Sequence, residues 1–158
     1  MKTIGLLGGM SWESTASYYK LLNEGIKARL GKFHSAKIVL VSVDFDEIEK
    51  LQSSGDWQQS ARILVEAGRN VERGGADFLL MCTNTMHKVA AEIADSISIP
   101  FVHIADTTAE ALKKRAITQV GLLGTRFTME ENFYKARLLE LHHIDVVIPN
   151  QSERKLVD

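Results

Sequence analysis

The segment Cys82-Thr83-Asn84-Thr85-Met86-His87 gathers a thiol, two hydroxyls, an amide and an imidazole within six residues. The apolar run before it predicts a strand that feeds straight into a helix. At such a junction, free backbone N–H groups and the helix dipole attract a carboxylate. Asn84 and Thr85 would add side-chain hydrogen bonds. Taken alone, the same residues also fit a purely structural role, with Thr85 an N-cap, Asn84 a turn residue and Cys82 a small buried hydrophobe. A free thiol titrates near about 8.5 and lower at helix N-termini, so a partly ionised Cys82 is the rival reading.

Two further polar clusters follow apolar runs, Gly8-Gly9-Met10-Ser11 and Gly124-Thr125-Arg126-Phe127-Thr128. The first lacks the Gly-x-Gly start of a dinucleotide fingerprint, so it reads as a turn that lets backbone approach a small carboxylate. Met10 and Ser11 are its candidate contacts, although Ser11 fits an N-cap equally well. Thr125 and Arg126 are candidates in the second cluster. An arginine there either pairs bidentately with a carboxylate or stays solvated. His87 reads as a polar helix residue and His103 as a hydrogen-bonded core histidine. Trp12, Tyr18 and Tyr19 are expected to pack.

The elements that must position these groups alternate between short β-branched runs and longer amphipathic segments. Strands are predicted at 3–7, 37–43, 77–82, 101–104, 119–123 and 144–148. Helices are predicted from Ser11 to Gly31, with Tyr18, Leu22, Ile26 and Leu30 as a buried stripe, and at 59–73, 85–96, 106–115 and 129–142. Strands joined through helices require a mostly parallel sheet covered on both faces, an α/β, doubly wound architecture. Ligands collect beyond the carboxyl ends of such strands, where all three polar clusters lie.

Composition narrows the function classes. The 158 residues carry 19 Lys+Arg against 20 Asp+Glu, a net charge of -1. No basic run is present, so neither nucleic acid nor a membrane surface is an expected partner. The apolar stretches fall short of the roughly 18 residues of a span, and the N-terminus shows no signal pattern, so a cytoplasmic location is expected. Cys82 is the single cysteine, which excludes an internal disulfide. His34, His87, His103, His142 and His143 show no zinc spacing, so no metal is expected.

Ile4-Gly5-Leu6-Leu7-Gly8 reappears as Val120-Gly121-Leu122-Leu123-Gly124, each time as a strand leading into a turn and a helix. Read as a duplication, this divides the chain into a first α/β half, 1–115, and the beginning of a pseudosymmetric second half, 116–158.

The opening Met1 to Ser11, the Asn84-Thr85-Met86-His87 block and Gly121-Leu122-Leu123-Gly124-Thr125 together resemble the cofactor-independent aspartate/glutamate racemases, across essentially the whole chain. The resemblance implies two pseudosymmetric α/β domains with the site between them. Two thiols, one per half, face opposite sides of the substrate α-carbon; one removes the proton and the other returns it. It further implies no pyridoxal phosphate or metal, an acidic amino acid as substrate and a homodimer. Thr83, Asn84, Thr85 and the Gly8 to Ser11 turn would hold the substrate, and Gln52, after the second strand, falls where the family places a side-chain-selecting residue.

The chain departs from that pattern twice. The family's first cysteine stands immediately before the Asn-Thr pair, where this chain has Thr83, with Cys82 one residue earlier. Successive strand residues point to opposite faces, so Cys82 and Thr83 cannot both aim at the substrate. Register anchored on Asn84-Thr85 favours Thr83, which would bias the reaction toward one direction. The family's second cysteine lies in a Gly-Cys-Thr-Glu-like segment not found in these 158 residues. Alternative readings are a carboxylate-binding half without catalysis, and a one-thiol decarboxylase or isomerase of the same superfamily.

Overall fold

The computed structural model describes residues 1–158. Packing separates them into two units. The first comprises 1–83 with 89–102, and the second comprises 84–88 with 103–158. The chain therefore leaves the first unit for the five residues Asn84 to Lys88 and then returns. These packing units have other boundaries than the halves 1–115 and 116–158, which are a division by sequence repeat.

In the first unit the strands β1 (Thr3–Gly8), β2 (Lys37–Ser42), β3 (Phe78–Met81) and β4 (Phe101–Val102) form one all-parallel sheet ordered β2-β1-β3-β4. Leu7 of β1 stands opposite Val41 on one side and Met81 on the other. Alternation along β1 sends Ile4 and Leu6 to one face, where they cluster with Cys82 and with Tyr18 and Leu22 of helix α1 (Trp12–Leu30). Gly5 faces the other way. A side chain there would meet Val71 of α3 (Trp57–Arg73) and the Phe78 carbonyl, so its lack of a Cβ lets α3 approach β1 closely. Ala61, Leu64, Ala67, Gly68 and Val71 form the buried stripe of α3, and Gly68 lies against Leu79 and Ile93. The sheet is thus covered on both faces.

Several local expectations change. The stripe of α1 is buried only in part: Tyr18 and Leu22 reach the core cluster, whereas Leu30 is exposed, as are Trp12 (66 %) and Tyr19 (53 %). Helix α2 (Phe45–Ser54) follows β2 without having been predicted, capped by the Asp44 carboxylate accepting from the Asp46 N–H. The helix predicted over 85–96 is a five-residue 3-10 turn, Thr85–Val89, followed by α4 (Ala90–Asp95).

The second unit pairs β5 (Gln119–Gly121) with β6 (Asp145–Val147) in parallel. Its core joins Ala105 and Ala109 of α5 (Ile104–Lys113) to Tyr134 and Leu138 of α7 (Asn132–His142), with Ile144. Arg137 of α7 grips Asp106 of α5 through two 2.7 Å hydrogen bonds, and His142 reaches the same carboxylate at 2.8 Å. The single helix predicted over 129–142 is broken: α6 (Arg126–Glu130) stops at Glu131, which is extended at φ -79°, ψ 160°. Glu131 instead gives its carboxylate to Lys88, 2.5 Å away. A last helix, α8 (Gln151–Val157), starts at an Asn150/Glu153 capping box.

Candidate active site

Strand order locates the site before any side chain is considered. From β1 the chain crosses to β2 on one side and later to β3 on the other, so the order in which strands are added reverses between β1 and β3. Parallel α/β sheets bind ligands outside the carboxyl ends of the strands flanking such a reversal. The residues at those ends are Gly8-Gly9-Met10-Ser11 and Cys82-Thr83.

Hydrogen bonds join these two ends within the first unit. The Cys82 N–H donates to the Leu7 carbonyl at 2.9 Å, and the Ser14 hydroxyl, in the first turn of α1, lies 2.5 Å from the Cys82 carbonyl and 3.0 Å from that of Ser11. Thr15, buried, accepts from the Gly9 N–H at 2.9 Å through Oγ1, which lies 3.1 Å from the Ser11 carbonyl. Gly9 adopts φ +95°, and a side chain there would strike the Val43 backbone, so the turn requires glycine. Ser11 occupies the N-cap position of α1, yet its hydroxyl makes no capping bond. Met10 is buried and Ser11 half-buried.

Cys82 and Thr83 differ sharply. Cys82 is fully buried (0 % exposed) among Ile4 and Leu6, and burial pushes its thiol up to about 12. A thiolate there would lie in apolar surroundings with no compensating cation. Thr83, the next residue, is half-buried at the end of the strand. Gln52 lies on α2, half-buried, and shares no hydrogen bond with the other candidates.

The remaining candidates belong to the second unit. The hydroxyls of Thr85 and Thr125 stand 3.1 Å apart, and Thr125 also contacts the Thr128 hydroxyl at 3.2 Å. The structure thus joins Thr85 and Thr125, which are 40 residues apart. Thr85 opens its 3-10 turn, and its hydroxyl meets that of Thr125. The helix-terminus argument for anion binding weakens here, because the dipole of so short a turn is small. Asn84 is exposed, and its carbonyl accepts from the His87 N–H at 3.0 Å. Arg126 is exposed, its guanidinium 5.2 Å from the centre of the Phe127 ring. No group of three or more His, Cys, Asp or Glu side chains converges as a metal site.

Two residues that position the site were missed in the sequence, Ser14 and Thr15. Their signal was a hydroxyl pair three and four positions after Ser11, the spacing at which a helical hydroxyl returns to a preceding carbonyl. The first unit also carries a groove of about 520 Å³ beside Trp57, Ala61 and Val65 of α3 and Glu92 of α4, and none of the sequence-predicted residues lines it. No helix is long and apolar enough to cross a membrane.

Comparison with known proteins supplies the context. The family profile of Asp/Glu/hydantoin racemases matches residues 7–158. The broad-specificity amino-acid racemase RacX of Bacillus subtilis is 28% identical over 80 residues, 51% of this chain and 35% of that one. Among solved structures, a Yersinia pestis protein assigned to the Asp/Glu racemases is 52% identical with a TM-score of 0.95. An aspartate racemase homologue from Pyrococcus horikoshii is 35% identical with a TM-score of 0.86. The aspartate racemase of Picrophilus torridus gives 26% and 0.76. Each covers 99% of this chain, while this chain covers 68%, 68% and 66% of them respectively, so it spans about two thirds of their length.

Proposed function

We propose that this chain, which belongs to the Asp/Glu/hydantoin racemase family, is the larger part of an enzyme that inverts the α-carbon of acidic amino acids by proton transfer without a cofactor. The observation that carries the reading is the contrast at the end of β3. Cys82 is sealed in the core with its thiol pushed up to about 12, which leaves the half-buried Thr83 as the proton-handling residue of this strand end.

An alcohol is a far weaker acid than a thiol, so Thr83 does not become the deprotonating base at neutral pH; it relays or returns a proton. The opposing base then belongs to the third of the fold that the solved relatives carry and this chain does not span. Asn84, Thr85 and Thr125 supply the amide and hydroxyl contacts for the substrate carboxylates, and the Gly9 turn, seated by Thr15, offers backbone at the carboxyl end of β1. Met10, Ser11, Gln52 and Arg126 are the further substrate contacts in this reading, in a soluble cytoplasmic homodimer.

The test is to measure initial rates from each pure enantiomer of aspartate and glutamate with the full-length protein. Deuterium incorporation at the α-carbon is followed in parallel. At saturating substrate, wild type should turn over much faster from one enantiomer than from the other, with KM higher in the same proportion in the fast direction, because conversion to an equal mixture requires equal kcat/KM from both sides. Thr83→Cys should raise the slow direction more than the fast one, and Cys82→Ser should change both little. Equal saturating rates of wild type in both directions, or near-complete loss on Cys82→Ser, would overturn the threonine assignment.

One observation favours a second reading. The only thiol of these 158 residues is buried, so no exposed acid/base of that kind is present here. A carboxylate-binding half without catalysis fits this, and binding of glutamate with no deuterium incorporation by the full-length protein would select it.

A further inference from the structure

We propose that His87 is the positioning residue of the Asn84–Thr85 pair, seating their turn on the start of α5 by accepting the Ile104 N–H. This rests on the assignment of Asn84 and Thr85 to the substrate. Three polar contacts are among those that hold the segment Asn84 to Lys88 within the second unit. The Thr85 hydroxyl meets that of Thr125 at 3.1 Å, Lys88 pairs with Glu131 at 2.5 Å, and the His87 Nε2 accepts from the Ile104 N–H at 3.3 Å.

The three are not equivalent. The Thr85–Thr125 contact uses hydroxyls that a substrate carboxylate would recruit. The Lys88–Glu131 pair leaves 27% and 30% of its side chains exposed and is screened by salt. His87 is only 3% exposed, and its contact is independent of both substrate and ionic strength.

Its partner explains why a histidine stands there. The first N–H groups of any helix lack intrahelical acceptors. In α5 the Asp106 and Thr107 amides reach the His103 carbonyl, at 3.1 and 3.3 Å. The Ala105 N–H goes to the His103 Nδ1 at 3.1 Å, and the Ile104 N–H goes to His87. The two imidazoles meet edge to face, with centroids 4.5 Å apart. A ring nitrogen that accepts a hydrogen bond carries no proton, and a positive charge at a helix N-terminus would be unfavourable. His103 conforms: burial, reinforced by Arg137, lowers it to about 4. His87 thus ties the turn to a ten-residue helix that Asp106 and Arg137 lock onto α7.

The full-length protein carrying His87→Leu or His87→Gln tests this. Leucine keeps the bulk and removes the acceptor, while glutamine places an oxygen at similar reach. His87→Leu should raise KM for the acidic amino acid on the order of tenfold, the factor for a lost hydrogen bond of about 1.4 kcal/mol, with kcat nearly unchanged. Amide exchange at residues 84–88 and at Ile104 should accelerate by a similar factor. His87→Gln should restore both. If His87→Leu fails to fold, His87→Asn, polar but too short to reach Ile104, replaces it. Unchanged exchange at 84–88 overturns the proposal, and so does faster exchange with unchanged KM, which would leave His87 a merely structural role. An inactive wild type refutes the reading of the site instead, and the exchange measurements then decide by themselves whether His87 seats the turn.

Discussion

Alkylation of Cys82 probes the division of labour at the end of β3 most directly. With its thiol pushed up to about 12 from an ordinary 9.0, about one molecule in ten thousand carries the thiolate at pH 8, against about a tenth for an unperturbed thiol. Ionisation alone therefore slows attack on iodoacetamide about a thousandfold, and complete burial behind Ile4 and Leu6 adds a steric barrier that only local opening relieves. Native protein would be treated at pH 8, quenched, digested, and the Cys82 peptide quantified by mass spectrometry beside a guanidinium-unfolded control. Native labelling should lag the unfolded control by at least about three orders of magnitude. Saturating aspartate should change it little, because the thiol does not line the substrate site. Native labelling within tenfold of the unfolded rate, or strong protection by substrate, would refute the assignment of Cys82 to the core and return it to the catalytic role.

Other perturbations read out the parts around it. Thr15→Val keeps the shape but strips the buried Gly9 N–H of its acceptor, and should lower unfolding free energy by about 1–3 kcal/mol in urea titrations. Gly9→Ala forces a side chain against the Val43 backbone at φ +95° and should cost at least as much, with activity falling in parallel. Asp106, held down to about 2 chiefly by its hydrogen bonds to Arg137, contributes stability that is complete above the unfolded pKa near about 4 and lost as pH falls through 2. About a third of its side chain is exposed, so screening leaves about 1–2 kcal/mol, and the stability gap between wild type and Asp106→Asn should close between pH 5 and pH 2.

What the sequence revealed and what it hid follow the range of the forces involved. The stripe Ala61, Leu64, Gly68, Val71 and the alternation along β1 are read locally, because burying one face imposes a period on neighbouring residues. Helix α2 buries only Ile48 and α8 buries nothing, so neither writes such a period. Their signals were the caps at Asp44 and Asn150 instead. The break at Glu131 has no local signature at all, since the ion pair that accompanies it is with Lys88, 43 positions earlier.

The candidate site divides in the same way. The Gly8 to Ser11 turn is legible because only glycine tolerates the Gly9 backbone. Trp12 and Tyr19 mislead, since aromatic residues at helical spacing do not specify which face meets the sheet. His87 was misread as a polar helix residue because its acceptor serves a helix that starts 17 residues later. The Cys82/Thr83 pair lies between these extremes. Alternation says that one of two neighbours faces the core, but choosing which requires the register of β3 against β1, and that is fixed by pairing Leu7 with Met81 across 74 residues. A one-residue slip of β3 would exchange the environments of the thiol and the hydroxyl. The chemistry at this strand end therefore depends on the packing that holds β3 in place, including the close approach of α3 at Gly5, as much as on the identity of the two side chains.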